Sequence, residues 1–131
     1  MKALVVDDDF VSRLLLQEIL APFGPVHACA RGDEALLAVR RALEQNSPYE
    51  LICLDIMMPE MNGFDVLSKL REAEEQRGLY GRAAAKVMMT TGLDDWPNIR
   101  NAFRDQCDGY LVKPLNRPKL VQDLRGLGLI H

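Results

Sequence analysis

Four apolar runs in this chain each break off at or just before a residue suited to holding a cation or a phosphate. Ala3-Leu4-Val5-Val6 stops at Asp7 and Asp8, Leu51-Ile52-Cys53-Leu54 at Asp55, Val87-Met88-Met89 before Thr91, and Tyr110-Leu111-Val112 at Lys113. Short, continuously apolar runs bounded by turn formers suit strands buried on both faces, and such strands belong to parallel sheets covered by helices. Parallel strands carry their carboxyl ends to one edge, where open α/β sheets bind their ligands. Three carboxylates, a hydroxyl and an ammonium are thereby directed into one pocket.

Stretches of helical period separate the runs, so a strand-helix unit repeats five times and the fold class is α/β. Val11, Leu14, Leu15 and Ile19 are spaced to form the buried face of a first helix, which Pro22 and Gly24 stop. Val26 to Ala30 reads as a second strand, and its mixed character suits a sheet edge with His27 facing solvent. Leu36, Val39 and Leu43 mark the second helix, closed by Asn46-Ser47-Pro48. After Asp55, the loop Met57 to Gly63 uses Pro59 to set one dihedral and Gly63 for a close approach, and Phe64, Leu67 and Leu70 then face the sheet. Glu72 to Lys86, with its charges and two glycines, reads as a frayed helix end and a long polar loop. Asp94-Asp95-Trp96-Pro97 has the composition of a helix start, with Ile99, Ala102 and Phe103 on the buried face behind it. Leu120, Leu124 and Leu127 form the last helix, ending near Gly126 and Gly128.

The length of 131 residues fits one domain, read here as spanning 1–131 with no output domain. A net charge of −3 offers no basic footprint for nucleic acid, so direct DNA or RNA binding is not expected. No apolar stretch reaches the roughly 18 residues of a membrane span, and the first residues enter a strand pattern rather than a signal-peptide layout. A cytoplasmic location is expected, with Cys29, Cys53 and Cys107 as reduced structural thiols.

Carboxylates converging on one pocket repel one another unless a cation offsets them, and an all-oxygen set suits Mg²⁺, with Mn²⁺ as a substitute. Magnesium commonly completes its shell with water and phosphate oxygens, which makes a phosphoryl group the natural ligand. With Lys113 and Thr91 as donors to that group, one carboxylate can act as nucleophile and carry an aspartyl phosphate; Asp55 is the best candidate. Taken singly, each residue has an ordinary reading: an Asp ending a strand forms turns, a Thr in a strand reflects β-propensity, and a Lys before Pro sits in a loop. Their convergence in one pocket favours the chemical reading.

The stretches Leu4-Val5-Val6-Asp7-Asp8-Asp9, Leu54-Asp55-Ile56-Met57-Met58-Pro59-Glu60-Met61-Asn62-Gly63, Met89-Thr90-Thr91-Gly92 and Gly109-Tyr110-Leu111-Val112-Lys113-Pro114 resemble the receiver domains of two-component response regulators, especially the stand-alone chemotaxis type. The resemblance runs the length of the chain. It implies a doubly wound, flavodoxin-like (βα)5 fold with strand order 2-1-3-4-5. It further implies that Asp55 accepts a phosphoryl group from a sensor histidine kinase. Asp8, Asp55 and the backbone carbonyl of Met57 would bind Mg²⁺, and Asp7 would assist through a water. Lys113 would pair with the phosphoryl oxygens and Thr91 would donate its hydroxyl, while Asp9 matches no required position and reads as a loop residue or helix cap. The bond before Pro114 would be cis.

By the same resemblance, phosphorylation draws Thr91 inward and moves Tyr110 from exposed to buried, which remodels the surface of the fourth helix, fifth strand and fifth helix. That surface would bind a downstream protein, and its alternative use is a weak phosphorylation-dependent dimer of an otherwise monomeric protein. Trp96 suits either a partner contact or packing on its own helix. Met57 and Leu93 are apolar at positions that tune hydrolysis of the acyl phosphate, so slow dephosphorylation is expected. The alternatives are a phosphorelay shuttle, a docking module independent of phosphorylation, or an Asp-nucleophile phosphatase. Phosphatases of that kind usually carry a second acid two residues after the nucleophile, where this chain has Met57.

Overall fold

Every apolar run named above forms a strand, and each strand pairs in parallel with its neighbours. The computed structural model describes residues 1–92 and 107–131. The strands are β1 (Ala3–Val6), β2 (Val26–Cys29), β3 (Leu51–Asp55), β4 (Lys86–Thr91) and β5 (Gly109–Val112). They form one five-stranded sheet in the order β2-β1-β3-β4-β5, the order implied by the resemblance. The helices are α1 (Phe10–Leu20), α2 (Gly32–Glu44), α3 (Gly63–Gln76) and α4 (Arg117–Gly126). The helix expected from Asp94 onward, together with Leu93 and Trp96, lies outside the described residues.

Local chemistry explains where the helices begin. Asp9 caps α1 by accepting from Ser12 N at 3.1 Å and Ser12 Oγ at 2.7 Å. Asn62 caps α3 through Asp65 N, and Asn116 caps α4 through Lys119 N, both at 3.0 Å, with Pro118 in the first turn of α4. In α2, Asp33 and Glu34 place negative charge in the first turn, where the helix dipole favours it.

Alternation along the strands divides the core into two layers. Leu4, Val6, Ile52, Leu54, Val87 and Met89 face α2 and α3. Ala3, Val5, Leu51, Cys53, Met88 and Leu111 face α1 and α4. Fully burying each such large side chain stabilises the fold by roughly 1.5–3 kcal/mol. β2 is an edge strand that ends at Cys29 rather than Ala30, and His27 on it is exposed with Nδ1 2.6 Å from the Tyr49 hydroxyl.

Two expectations need correction. The buried face of α1 is Leu16, Ile19 and Leu20, whereas Val11 is 70% exposed and Leu14 44%. Leu14-Leu15-Leu16 fits two helical phases, and docking onto the sheet selects the one containing Leu16. The second concerns how Glu72 to Lys86 begins: the expected loop before β4 is present, with a short 3-10 turn at Gly81–Ala83, but the helix ahead of it is regular to Gln76 rather than frayed. Glu74 is buried there, receiving Arg71 Nη1 and Ala85 N at 2.7 Å each. A charge that finds a buried partner is no signal of a loop. In the same helix Val66 is fully buried, while Phe64 is only partly so.

Candidate functional site

The sheet register fixes the site. Val6 lies opposite Leu54 and Asp55 opposite Thr90, so Asp7, Asp55 and Thr90 come level at the carboxyl edge on the face of α1 and α4. Backbone bonds continue the ladder past the strand ends: Asp7 N donates to Cys29 O at 3.2 Å, Ile56 N to Thr90 O at 3.0 Å and Lys113 N to Thr91 O at 2.7 Å. The loop after Asp55 returns close to the strand, with Gly63 N bonded to Ile56 O at 2.9 Å. A Cβ at Gly63 would lie 2.5 Å from the Asp55 carbonyl oxygen, so the approach requires glycine.

Asp7, Asp8 and Asp55 each offer a carboxylate oxygen, all within 4.8 Å of one another; Asp7 and Asp55 are buried and Asp8 is exposed. Lys113 Nζ reaches over the sheet to 3.1 Å from Asp7 Oδ2 and 3.6 Å from Asp55 Oδ2. Asp9 N donates to Asp7 Oδ1 at 2.9 Å, Met57 N to Asp55 Oδ1 at a long 3.4 Å, and Arg13 Nη1 to the Asp7 carbonyl at 2.8 Å. Neither Arg13 nor Thr90 was singled out from the sequence. An Arg six residues beyond the acid is common helix decoration, and Thr90 reveals itself only when strand alternation is combined with the register.

Burial pushes the Asp55 carboxyl up to about 7, Asp7 adds repulsion in the same direction, and Lys113 opposes both. At Lys113 burial acts to lower the ammonium, but the carboxylates of Asp55 and Asp7 outweigh it and the net direction is upward. The pocket thus holds more negative charge than it can neutralise by itself.

Asp7 Oδ2 is fully buried and, among the described residues, has the Lys113 ammonium at 3.1 Å but no hydrogen bond. That incompletely satisfied oxygen and the all-oxygen donor set fit a hard divalent cation, so the residues present are suited to Mg²⁺. Of the other expected residues, Thr91 is buried at the end of β4, Tyr110 is half-buried on β5, and Met57 is 59% exposed. The Lys113–Pro114 bond is cis.

Comparisons with known proteins agree on one family. The pattern of the response regulator receiver domain matches residues 3–125. The transcriptional regulatory protein SrrA of Staphylococcus aureus is 32% identical over 125 residues, which is 95% of this chain and 46% of that protein. The chain therefore spans about half the length of the curated relatives it matches. Among solved structures, the receiver domain of the Arabidopsis thaliana histidine kinase CKI1, complexed with Mg²⁺ and BeF3⁻, superposes with a TM-score of 0.80 at 30% identity, covering 97% of this chain and 89% of that one. The Vibrio cholerae chemotaxis protein CheY4 gives 0.73 at 27% identity, covering 95% of this chain and 96% of that one.

Proposed function

The chain belongs to the response regulator receiver domain family, and from that premise we propose that Asp55 accepts a phosphoryl group from a sensor histidine kinase in a Mg²⁺-dependent step that switches a partner-binding surface. The observation that carries this reading is the pocket itself: three carboxylates converging at the carboxyl edge with the Lys113 ammonium 3.1 and 3.6 Å from two of them. Receiver domains are signalling phosphoacceptors rather than enzymes acting on a separate substrate, and the absence of an acid at Met57 agrees with that.

In the proposed step an Asp55 carboxylate oxygen attacks phosphorus, the phosphorus–nitrogen bond to the donor histidine breaks, and the imidazole leaves with the bonding pair. Asp8, Asp55 and the Met57 carbonyl would hold Mg²⁺, or Mn²⁺ in its place, with Asp7 assisting through a water. The bound cation would neutralise the carboxylates and polarise the phosphoryl oxygens. Lys113, drawn off the carboxylates, pairs with a phosphoryl oxygen, and the Thr91 hydroxyl donates to another. Thr91 and Tyr110 lie on the face opposite Asp55, so drawing Thr91 toward the phosphoryl group opens room for the Tyr110 ring and shifts the population of two surface states. Phe10, Val11 and Leu14 are exposed on α1, the helix that follows Asp7 and Asp8 in the chain, and such an apolar surface supports docking of a protein partner. Action in the cytoplasm is part of the proposal; among the described residues no helix is long and apolar enough to cross a membrane.

The test is intact-mass measurement after incubation with acetyl phosphate. One phosphoryl adduct is expected with Mg²⁺, none with a chelator and none in Asp55→Asn. An adduct that persists in the variant would remove Asp55 as the acceptor.

A further inference from the structure

Thr90 carries a hydroxyl for which the described residues offer no hydrogen-bond partner, and the side chain is completely buried. A buried hydroxyl without a partner is a net cost to folding, and valine would fill the same space without it. Its place in the sheet supplies the reason to keep it. Thr90 sits directly across from Asp55 in the β3–β4 register and shares the face of Asp7 and Asp55. β4 lies between β3 and β5, so the Lys113 side chain crosses above β4 at this level to reach Asp55 and Asp7. The hydroxyl therefore stands at the floor of the pocket, between the apolar layer of Met88 and Leu111 and the carboxylates above.

We propose that Thr90 is a positioning residue of the acidic pocket, its hydroxyl donating to the Asp55 carboxylate when a divalent cation occupies the site. The inference rests on the reading of Asp7, Asp8 and Asp55 as the cation site. In the metal-free pocket Lys113 serves Asp7 and Asp55 together at 3.1 and 3.6 Å. A cation among the carboxylates repels that ammonium, and Asp55 Oδ2 then loses its partner on the β5 side. Thr90 is the buried donor on that side. It fixes the orientation of the carboxylate that must both hold the cation and attack phosphorus.

The experiment compares wild type, Thr90→Val and Thr90→Ser for Mg²⁺ affinity by titration calorimetry, for the rate of labelling by acetyl phosphate, and for melting temperature in chelator. Thr90→Val is expected to bind Mg²⁺ about three- to tenfold more weakly, the loss of one hydrogen bond, and to melt no lower than wild type. Thr90→Ser, which keeps the hydroxyl, is expected to bind within twofold of wild type. Equal Mg²⁺ affinity in Thr90→Val would overturn the proposal and leave the hydroxyl as an uncompensated cost of the strand. A Thr90→Ser variant as weak as the valine would overturn it too, by assigning the effect to the lost methyl group. Wild type that binds no Mg²⁺ would instead overturn the cation site, and Thr90's role with it.

Discussion

Two groups of acids, each built around a buried carboxylate, sit at opposite ends of the same sheet, and they are satisfied to very different degrees. At the amino ends of β4 and β5, Glu74 receives a donor on each oxygen at 2.7 Å. Arg71 also donates to Ala85 O at 2.8 Å and to Asp108 Oδ2 at 3.2 Å, and Asp108 Oδ2 receives Val87 N at 2.8 Å. With Lys86 beside Asp108, two carboxylates there face two cations. At the carboxyl ends, three carboxylates converge and the Lys113 ammonium pairs with two of them, Asp7 and Asp55, while Arg13 spends its hydrogen bond on a backbone carbonyl. Asp7 Oδ2 and Thr90 Oγ1 stay without hydrogen bonds among the described residues. A complete network fastens the chain, here tying α3 to β4 and β5, whereas an incomplete one leaves binding free energy for a ligand.

The largest expected effect breaks the satisfied end. Glu74→Ala removes one carboxylate partner of the buried Arg71 guanidinium and leaves Ala85 N without its side-chain acceptor, so urea unfolding should show a loss of about 3 kcal/mol. Labelling of the still-folded variant by acetyl phosphate should persist, because the change lies at the far end of the sheet. A variant as stable as wild type would mean that the network contributes little.

A second loss of stability, this one dependent on pH, is expected at the unsatisfied end. The folded protein holds Asp55 near 7, above its ordinary 3.8, so between those values the folded state keeps a proton that the unfolded chain has released. Stability of the metal-free protein therefore falls as pH rises from about 4 to about 7 and levels off above that, by an amount on the order of a few kcal/mol. Denaturation midpoints in chelator at pH 5 and pH 8 should reveal the fall. Asp55→Asn should flatten it, and Mg²⁺ should offset it in wild type by binding the native state. Equal midpoints for wild type at both pH values would contradict the strained-carboxylate account.

The smallest effect calibrates the other two. Lys119 and Asp123 pair at 2.7 Å on α4, but the Lys119 side chain is 58% exposed. Lys119→Ala should shift stability by less than about 0.5 kcal/mol. A larger loss would show that a short distance alone predicts stability here, which would weaken the contrast between the two acid groups.

Much of the fold was legible because its signals are local. The apolar runs, the cap at Asp9 and the stop at Pro22-Gly24 act through neighbours in the chain. The edge position of β2 was legible for a related reason: Val26-His27-Ala28-Cys29 is interrupted by a polar residue where β1 is continuously apolar. Gly63 could be anticipated as a close approach, although the atom it approaches, the Asp55 carbonyl, could not. The face of α1 was misread because three successive leucines satisfy two phases and local pattern does not choose between them. The burial of Glu74 was not legible because its partners, Arg71 and Ala85 N, come together only when α3 and the strand after it are both in place. The segment holding Trp96 lies outside the described residues, so its two readings stand as they were.

By itself the sequence determined the class of fold and the set of side chains sent to one sheet edge. Strand-end position follows from where each apolar run stops, and parallel strands have only one carboxyl edge. The tertiary structure alone decided which of those groups are buried, which cation they share and which oxygens go without a donor. It also decided that Thr90 rather than its neighbour Thr91 stands level with Asp55 on the face of the acids. Those facts depend on register between strands far apart in the chain and on the direction from which helices dock, and no local pattern of residues encodes either.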